Sequence, residues 1–343
     1  MENSAPKKKN FYNKKKYYKN KNESNPEKKN ESRFSFKKVS LVIPLLNEEE
    51  SLMPLYNEIK KIVDKLKINY EIVFIDDGST DSSLQKLREL NRKDRNVRYI
   101  SFRKNYGKSA ALNVGFKKAS GDAIITMDAD LQDDPAEIEN LLEKLDNGWD
   151  MVSGWKKVRF DPFVKKHSSK FFNYTTRVLT KIKIHDFNCG LKAYKRDVIK
   201  NINVYGELHR YIPVLAYNKG FTVTEIPVKH HPRRYGKTKF GISRFFKGFI
   251  DLLTVMFDSR YIKRPMHLFG FFGVTAFILG VLVNLWLSYE KIFLDKNLGD
   301  RPILLLGILL IVVGVQFFAV GLLGEIIVHN TPRDEDYNIK EKR

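Results

Sequence analysis

The sequence predicts an α/β fold: a mostly parallel sheet with helices on both faces, followed by an amphipathic interfacial helix and two transmembrane helices. Three observations carry that prediction. Short apolar runs alternate with helical patterns from about residue 38 onward. Acidic clusters fall at the ends of several of those runs. The last quarter of the chain holds two long stretches that are apolar on every side.

The first strand is Val39–Leu45, Val-Ser-Leu-Val-Ile-Pro-Leu, too continuously apolar for a strand with one wet face. Leu52, Leu55, Ile59, Ile62, Val63 and Leu66 then recur at helical spacing. Glu71–Ile75 is the second strand, and Leu84, Leu87 and Leu90 mark the next helix. Val97–Phe102 is a third strand, Ser109–Lys118 a helix and Ala123–Met127 a fourth strand. Such alternation implies parallel pairing through helical crossovers, and ligands of such sheets sit at the carboxyl ends of the strands. The clusters Asn47-Glu48-Glu49, Asp76-Asp77 and Asp128–Asp130 all occupy that position.

Leu268–Tyr289 and Ile303–Val328 are the candidate spans, 22 and 26 residues long. At about 1.5 Å per residue the shorter covers roughly 33 Å, enough for a bilayer core of about 30 Å. Their connecting loop is charge-balanced, whereas Lys263, Arg264, Arg333 and the final Lys-Glu-Lys-Arg flank the outer ends. The positive-inside rule then places both termini and the large domain in the cytoplasm, with the protein in the cytoplasmic (inner) membrane. Phe245, Phe246, Phe249, Ile250, Leu252, Leu253 and Phe257 with Arg244 and Lys247 predict a helix lying in the interface before the first span.

The 343 residues carry 61 Lys and Arg against 40 Asp and Glu, a net charge of +21, which points to an anionic partner. Residues 1–38 hold 13 Lys or Arg against four Glu, with Phe11-Tyr12 and Tyr17-Tyr18 interleaved. This segment has no apolar core of a signal peptide and reads as a solvated arm near anionic lipid. The single cysteine, Cys189, excludes a disulfide framework and a Cys-rich zinc site. The expected organisation is a basic tail over 1–37, a catalytic domain over 38–240, the interfacial helix over 241–265, a membrane hairpin over 266–330 and a second tail over 331–343.

Asp128-Ala129-Asp130 follows a buried strand, so its two carboxylates project to the same side. Oxygen ligands in that arrangement suit Mg²⁺ or Mn²⁺ held jointly with substrate phosphates. His230-His231 resembles a metal pair, but adjacent side chains point apart, and both read as loop residues.

At this point the motifs converge. Ile43–Glu49, Ile75–Asp81, Asn105–Lys108, Met127–Gln132, Asp186–Lys192 and Arg234–Gly241 together resemble glycosyltransferase family 2, in particular its polyprenyl-phosphate sugar synthases. The resemblance covers roughly residues 38–330 and implies the GT-A fold. It implies that Pro44, Leu46, Asn47 and Glu48 line a nucleotide pocket, that Asp76 or Asp77 meets the base, and that Lys108 lies near the donor diphosphate. Asp128, Asp130 and Gln132 would bind the metal–diphosphate complex, and Asp186 would sit across the cleft from them near the reacting sugar. Arg159, Lys165 and Ser169, in the basic stretch that begins at Lys156-Lys157, are candidates for the acceptor phosphate. Arg233, Arg234, Lys237 and Lys239 would form a loop closing on phosphate groups, with the two arginines acting in catalysis.

The implied activity is an inverting, metal-dependent transfer of a single sugar from a nucleoside diphosphate sugar to polyprenyl (undecaprenyl-type) phosphate. A homo-oligomer is implied as well. The Gln-x-x-Arg-Trp motif of processive synthases is missing, and two spans are too few for an extrusion channel. Rival readings are a transferase for another lipid or saccharide acceptor, a membrane scaffold or RNA-binding protein using the basic tail, and a transporter. Intact Asp128, Asp130, Gln132 and Asp186 disfavour a degenerate scaffold, and nucleic acid is not the expected partner.

Overall fold

The structure, a computed structural model, describes residues 33–157, 173–178, 180, 182–235, 265–295, 297 and 302–330. Seven strands form one sheet in the order β3-β2-β1-β4-β6-β5-β7. They are β1 (Val39–Leu45), β2 (Tyr70–Asp76), β3 (Val97–Ser101), β4 (Ala123–Thr126), β5 (Met151–Trp155), β6 (Lys192–Lys195) and β7 (Val223–Pro227). Only β6 runs antiparallel to its neighbours, β4 and β5. The helices of this domain are α1 (Leu52–Leu66), α2 (Ser83–Lys93), α3 (Lys108–Lys118), α4 (Glu137–Asp146), α5 (Arg196–Asn201) and α6 (Ile212–Asn218), with a 3₁₀ turn at Leu208–Arg210.

β1 and β2 are buried along their whole length, as their apolar runs require. Alternate residues feed opposite faces. Leu41 and Ile43 pack with Leu52, Leu55 and Ile59 of α1, while Val42 packs with Leu112 and Phe116 of α3. The chain builds β1, β2 and β3 outward in one direction, then returns to place β4 on the other side of β1. This reversal leaves a crevice between the carboxyl ends of β1 and β4, the usual ligand position of an open α/β sheet. The register brings Leu45 opposite Asp76, and the acidic clusters after β1, β2 and β4 lie on that edge.

The opposite edge is pinned by Glu71. Its carboxylate accepts from Ser40 Oγ (2.6 Å), Lys38 Nζ (3.0 Å), Arg98 Nη1 (3.2 Å) and the Ser120 amide (2.6 Å). Burial alone would raise its pKa; these donors outweigh burial and lower it to about 2.

Residues 33–37 belong to the domain rather than to the tail. Phe34 is 4% exposed within the core, Arg33 pairs with Glu139 and Glu143, and Ser35 binds Asp146. One aromatic among lysines carries no periodic signal, which is why the sequence boundary fell at 38.

Two further helices, α7 (Pro265–Leu294) and α8 (Pro302–Asn330), form an antiparallel hairpin. Both are long and apolar enough to cross a membrane. They outlast the apolar windows read from the sequence because helix geometry continues through the flanking Glu290 and Lys291. Their backbones touch: a Cβ on Gly280 would lie 2.6 Å from the Gly307 carbonyl oxygen, and one on Gly273 would lie 2.8 Å from that of Gly314. Phe271, Leu285, Trp286, Leu305 and Ile327 point outward and are mostly exposed, as a lipid-facing surface demands. The expected interfacial helix over 241–265 lies outside the described residues except for Pro265.

Candidate active site at the sheet switch point

The loops after β1 and β2 are interlocked. Asn47 adopts a left-handed φ of 55°. Its amide donates to Ser79 Oγ (2.9 Å), and its side-chain oxygen accepts from the Thr80 amide (2.8 Å). The Glu48 amide donates to Ser83 Oγ (3.0 Å), and Glu49 accepts from the Ser82 amide (2.9 Å). Asp76 accepts from the Ser79 amide (2.9 Å) and Ser101 Oγ (2.7 Å). Asp77 accepts from the Tyr106 and Gly107 amides at 2.7 and 2.9 Å. Both carboxylates are therefore buried loop anchors, and each oxygen keeps one further lone pair. Burial, with the charge of Asp76 adding to it, holds the Asp77 pKa above its ordinary value despite those two amides. Leu46 stands beside them, partly exposed, and Pro44 reaches the crevice.

Beyond β4, Leu131 takes a left-handed φ of 58°, an unusual conformation for a bulky residue and one that concentrates at functional sites. The turn lets the Gln132 amide donate to Asp130 Oδ1 (3.2 Å). Asp128 lies against Gly190, where a Cβ would come within 2.6 Å of the carboxyl group. Lys108, in the first turn of α3, forms an ion pair with Asp128. Arg233 bridges Asp130 (3.0 Å) and Glu48 (3.3 Å). It arrives there because the chain at 230–231 pairs with the 132–133 turn, His231 donating its amide to the Gln132 carbonyl at 2.8 Å.

The two aspartates are electrostatically unlike. Burial opposes ionisation of Asp128, but Lys108, Lys156 and Lys192 outweigh it and hold its pKa far below the usual range. Burial raises Asp130, the charge of Asp128 adds to that, and Arg233 offsets only part of it. Among the described residues no cluster of three or more His, Cys, Asp or Glu could cage a metal. A pair of carboxylates alone fits Mg²⁺ or Mn²⁺, which take most of their remaining ligands from phosphate and water.

Several expected residues are placed differently from one another. Arg233 enters the site, whereas Arg234 turns outward to within 3.9 Å of Glu58. Asp186 is buried and accepts from the Asn188 amide (3.1 Å) and the Lys156 amide (3.4 Å); its neighbour Asn188, not Asp186, lines the crevice. Lys156, read as part of a phosphate-binding stretch, is buried and paired with Asp133 at 2.7 Å. Burial works against its charge, and Asp133 and Asp128 nonetheless hold its pKa above the ordinary lysine value. His230 and His231 separate as expected, one buried and one beside Asp134. Arg159, Lys165, Ser169, Lys237 and Lys239 lie outside the described residues.

The crevice also holds residues to which the sequence assigned no role: Lys192, which closes the Asp186–Lys192 motif, His209 and Arg210. Lys192 had one available signal, a charge inside the apolar stretch Leu191–Tyr194. His209 had none, because its partner Ser109 is a hundred positions away in sequence. Burial pushes the His209 pKa well below 6.5, with Lys108, Arg210 and Lys192 adding to the effect, so the imidazole is neutral.

Residues 40–202 match the family model described as Glycosyl transferase family 2. The chain is 37% identical to a dodecaprenyl-phosphate galacturonate synthase of Rhizobium johnstonii, over 87% of this chain and 89% of that protein. It is 36% identical to an undecaprenyl-phosphate 4-deoxy-4-formamido-L-arabinose transferase of Proteus mirabilis, covering 84% and 88%. Among solved structures, glucosyl-3-phosphoglycerate synthase of Mycobacterium tuberculosis, in complex with Mn²⁺, UDP and phosphoglyceric acid, aligns with a TM-score of 0.50 and 18% identity over 65% of this chain and 78% of that one. The sheet order, the switch-point aspartates and relatives of this extent agree: the chain belongs to glycosyl transferase family 2.

Proposed function

We propose that the protein transfers one sugar from a nucleoside diphosphate sugar to a polyprenyl phosphate at the cytoplasmic face of the inner membrane, with inversion at the anomeric carbon. The observation that supports this most is the joining of two features in one chain. Asp128 and Asp130 stand at the switch point, each met by a cation, and the C-terminal hairpin is apolar all round. Relatives that act on dodecaprenyl and undecaprenyl phosphates over most of this length favour a lipid phosphate acceptor.

A lipid phosphate monoester has a second pKa near ~6, so its oxygen is a competent nucleophile at neutral pH. It attacks the anomeric carbon as the bond to the donor diphosphate breaks. A divalent cation held by Asp128 and Asp130, with Gln132 beside them, would neutralise the departing diphosphate. In that reading Lys108 and Arg233 exchange their carboxylate partners for phosphate oxygens, and Pro44, Leu46, Asn47, Glu48, Asp76 and Asp77 frame the nucleotide. Asp186 keeps its segment in place beneath the sugar. Arg159, Lys165, Ser169, Arg234, Lys237 and Lys239 are proposed for the acceptor phosphate and its approach. Assembly into a homo-oligomer belongs to the same reading.

The test is incubation of the detergent-purified full chain with undecaprenyl phosphate, Mg²⁺ or Mn²⁺ and a panel of labelled nucleotide sugars. The expected result is a labelled, solvent-extractable lipid that disappears with EDTA. Absence of lipid-linked label with every donor would overturn the proposal.

A further inference from the structure

The cavity beside Asp128 is lined by Lys108, Lys192, His209, Arg210 and Asn188. Its charge is unbalanced. Asp128 is the single carboxylate in the lining and is already paired with Lys108. Lys192 is 4% exposed, its ammonium donates to the Cys189 carbonyl, and no carboxylate pairs with it among the described residues. Burial lowers the Lys192 pKa, with Asp186 and Asp128 offsetting only part of it, and an anion in this cavity would favour the charged ammonium. Arg210 faces the same space while held at 3.5 Å from Glu207.

The neutral partners fit the same ligand. Ser109 Oγ accepts the His209 amide (3.1 Å), and Nδ1 at 3.0 Å is the acceptor for its own buried hydroxyl hydrogen. In that arrangement the imidazole proton is on Nε2, which would offer a donor to the cavity. Asn188 Oδ1 is buried and has no hydrogen-bond partner. Two cations and an N–H donor beside an orphaned acceptor match a carboxylate on a sugar ring that also presents a hydroxyl, such as the one a carbon further along at C4.

We infer that this cavity receives the carboxylate of the donor's sugar ring, so that the protein transfers a uronic acid in preference to a neutral hexose. The inference rests on the proposed nucleotide-sugar reaction and names its substrate class. The cavity adjoins Asp128, so a group that reaches it arrives attached to the donor. The donor's diphosphate and the acceptor's phosphate are the other anions the reaction supplies; donor pairs that share one diphosphate isolate the carboxylate, and the absence of acceptor removes the second.

Donor binding is measured by calorimetry without acceptor, using pairs that differ at C6 alone: UDP-glucuronate and UDP-glucose, UDP-galacturonate and UDP-galactose, GDP-mannuronate and GDP-mannose. The expected result is at least tenfold tighter binding of one acidic member than of its neutral partner. Arg210→Gln should remove that advantage and leave the neutral partner within threefold, and Lys192→Met should weaken the acidic member more than the neutral one. Equal or tighter binding of the neutral members overturns the inference, and the wild-type comparison decides this even if a variant fails to fold. A rise in polyprenyl-phosphate KM in the variants, with donor affinity unchanged, also overturns it by assigning the cavity to the acceptor. Lipid-linked product from neutral donors alone would refute the inference and leave the proposed function standing, whereas no product from any donor would refute the function itself.

Discussion

The two edges of the sheet bury carboxylates in opposite ways. At the amino-terminal edge Glu71 is closed in by Ser40, Ser120, Lys38 and Arg98, all within the same few strands and their turns. At the carboxyl edge Asp128 and Asp130 stand one residue apart and rely on Lys108, from the first turn of α3, and Arg233, from a distant loop. The first arrangement satisfies an anion permanently. The second holds like charges together with cations that a phosphate-bearing ligand can draw away. Burial of acid is common to both, and the source of the counter-charge separates scaffold from site.

The largest way to break that contrast is at the carboxyl edge. Asp130→Asn should lower turnover by about 10³-fold or more, as removal of a charge-stabilising group does, while thermal unfolding in detergent stays close to wild type. An unfolding midpoint that falls in step with activity would make Asp130 a scaffold residue like Glu71. Arg233→Gln should cost about 10²-fold in kcat, whereas Arg234→Gln should keep kcat near wild type and raise the KM for the acceptor, since of the two only Arg233 reaches Asp130. Equal losses would show that the two arginines act together.

Gly190→Ala sharpens the comparison without touching charge. Its methyl would lie 2.6 Å from the Asp128 carboxyl, so we expect about a tenfold loss of activity from displacement alone. The amino-terminal edge should answer in stability instead. The Glu71 pKa is lowered to about 2 from 4.5, so its contribution is full above pH 4.5 and drains away as pH falls toward 2. That gap corresponds to about 3 kcal/mol. Glu71→Gln should flatten the acid limb of thermal stability and leave turnover per folded molecule unchanged. The smallest effect is at the tail: deleting residues 1–32 should change neither, whereas deletion through residue 37 removes the buried Phe34 and should cost about 3 kcal/mol.

Much of this was legible in the sequence because it is local. Continuous apolar runs gave the parallel strands, and two carboxylates after the fourth run marked the switch point before any topology was known. What escaped depends on distant pairings. Arg233 and Arg234 are indistinguishable as neighbours in a basic loop, and only the pairing of 230–231 with the 132–133 turn turns one inward. Lys156 reads in sequence as part of a phosphate-binding stretch, and only the fold sets Asp133 against it. His209 gains meaning from Ser109, and Lys192 from having no paired carboxylate among the described residues. No spacing rule encodes either.

The interlocked turns after β1 and β2 have a thermodynamic consequence. Asn47, Glu48 and Glu49 are tied to Ser79, Thr80, Ser82 and Ser83 through backbone amides, so these loops surrender their conformational freedom when the chain folds. A nucleotide docking there would order little further main chain. Its association should therefore carry a small entropy penalty and a modest heat-capacity change, with selectivity resting on the fixed directions of the groups it meets rather than on a pocket that forms around it.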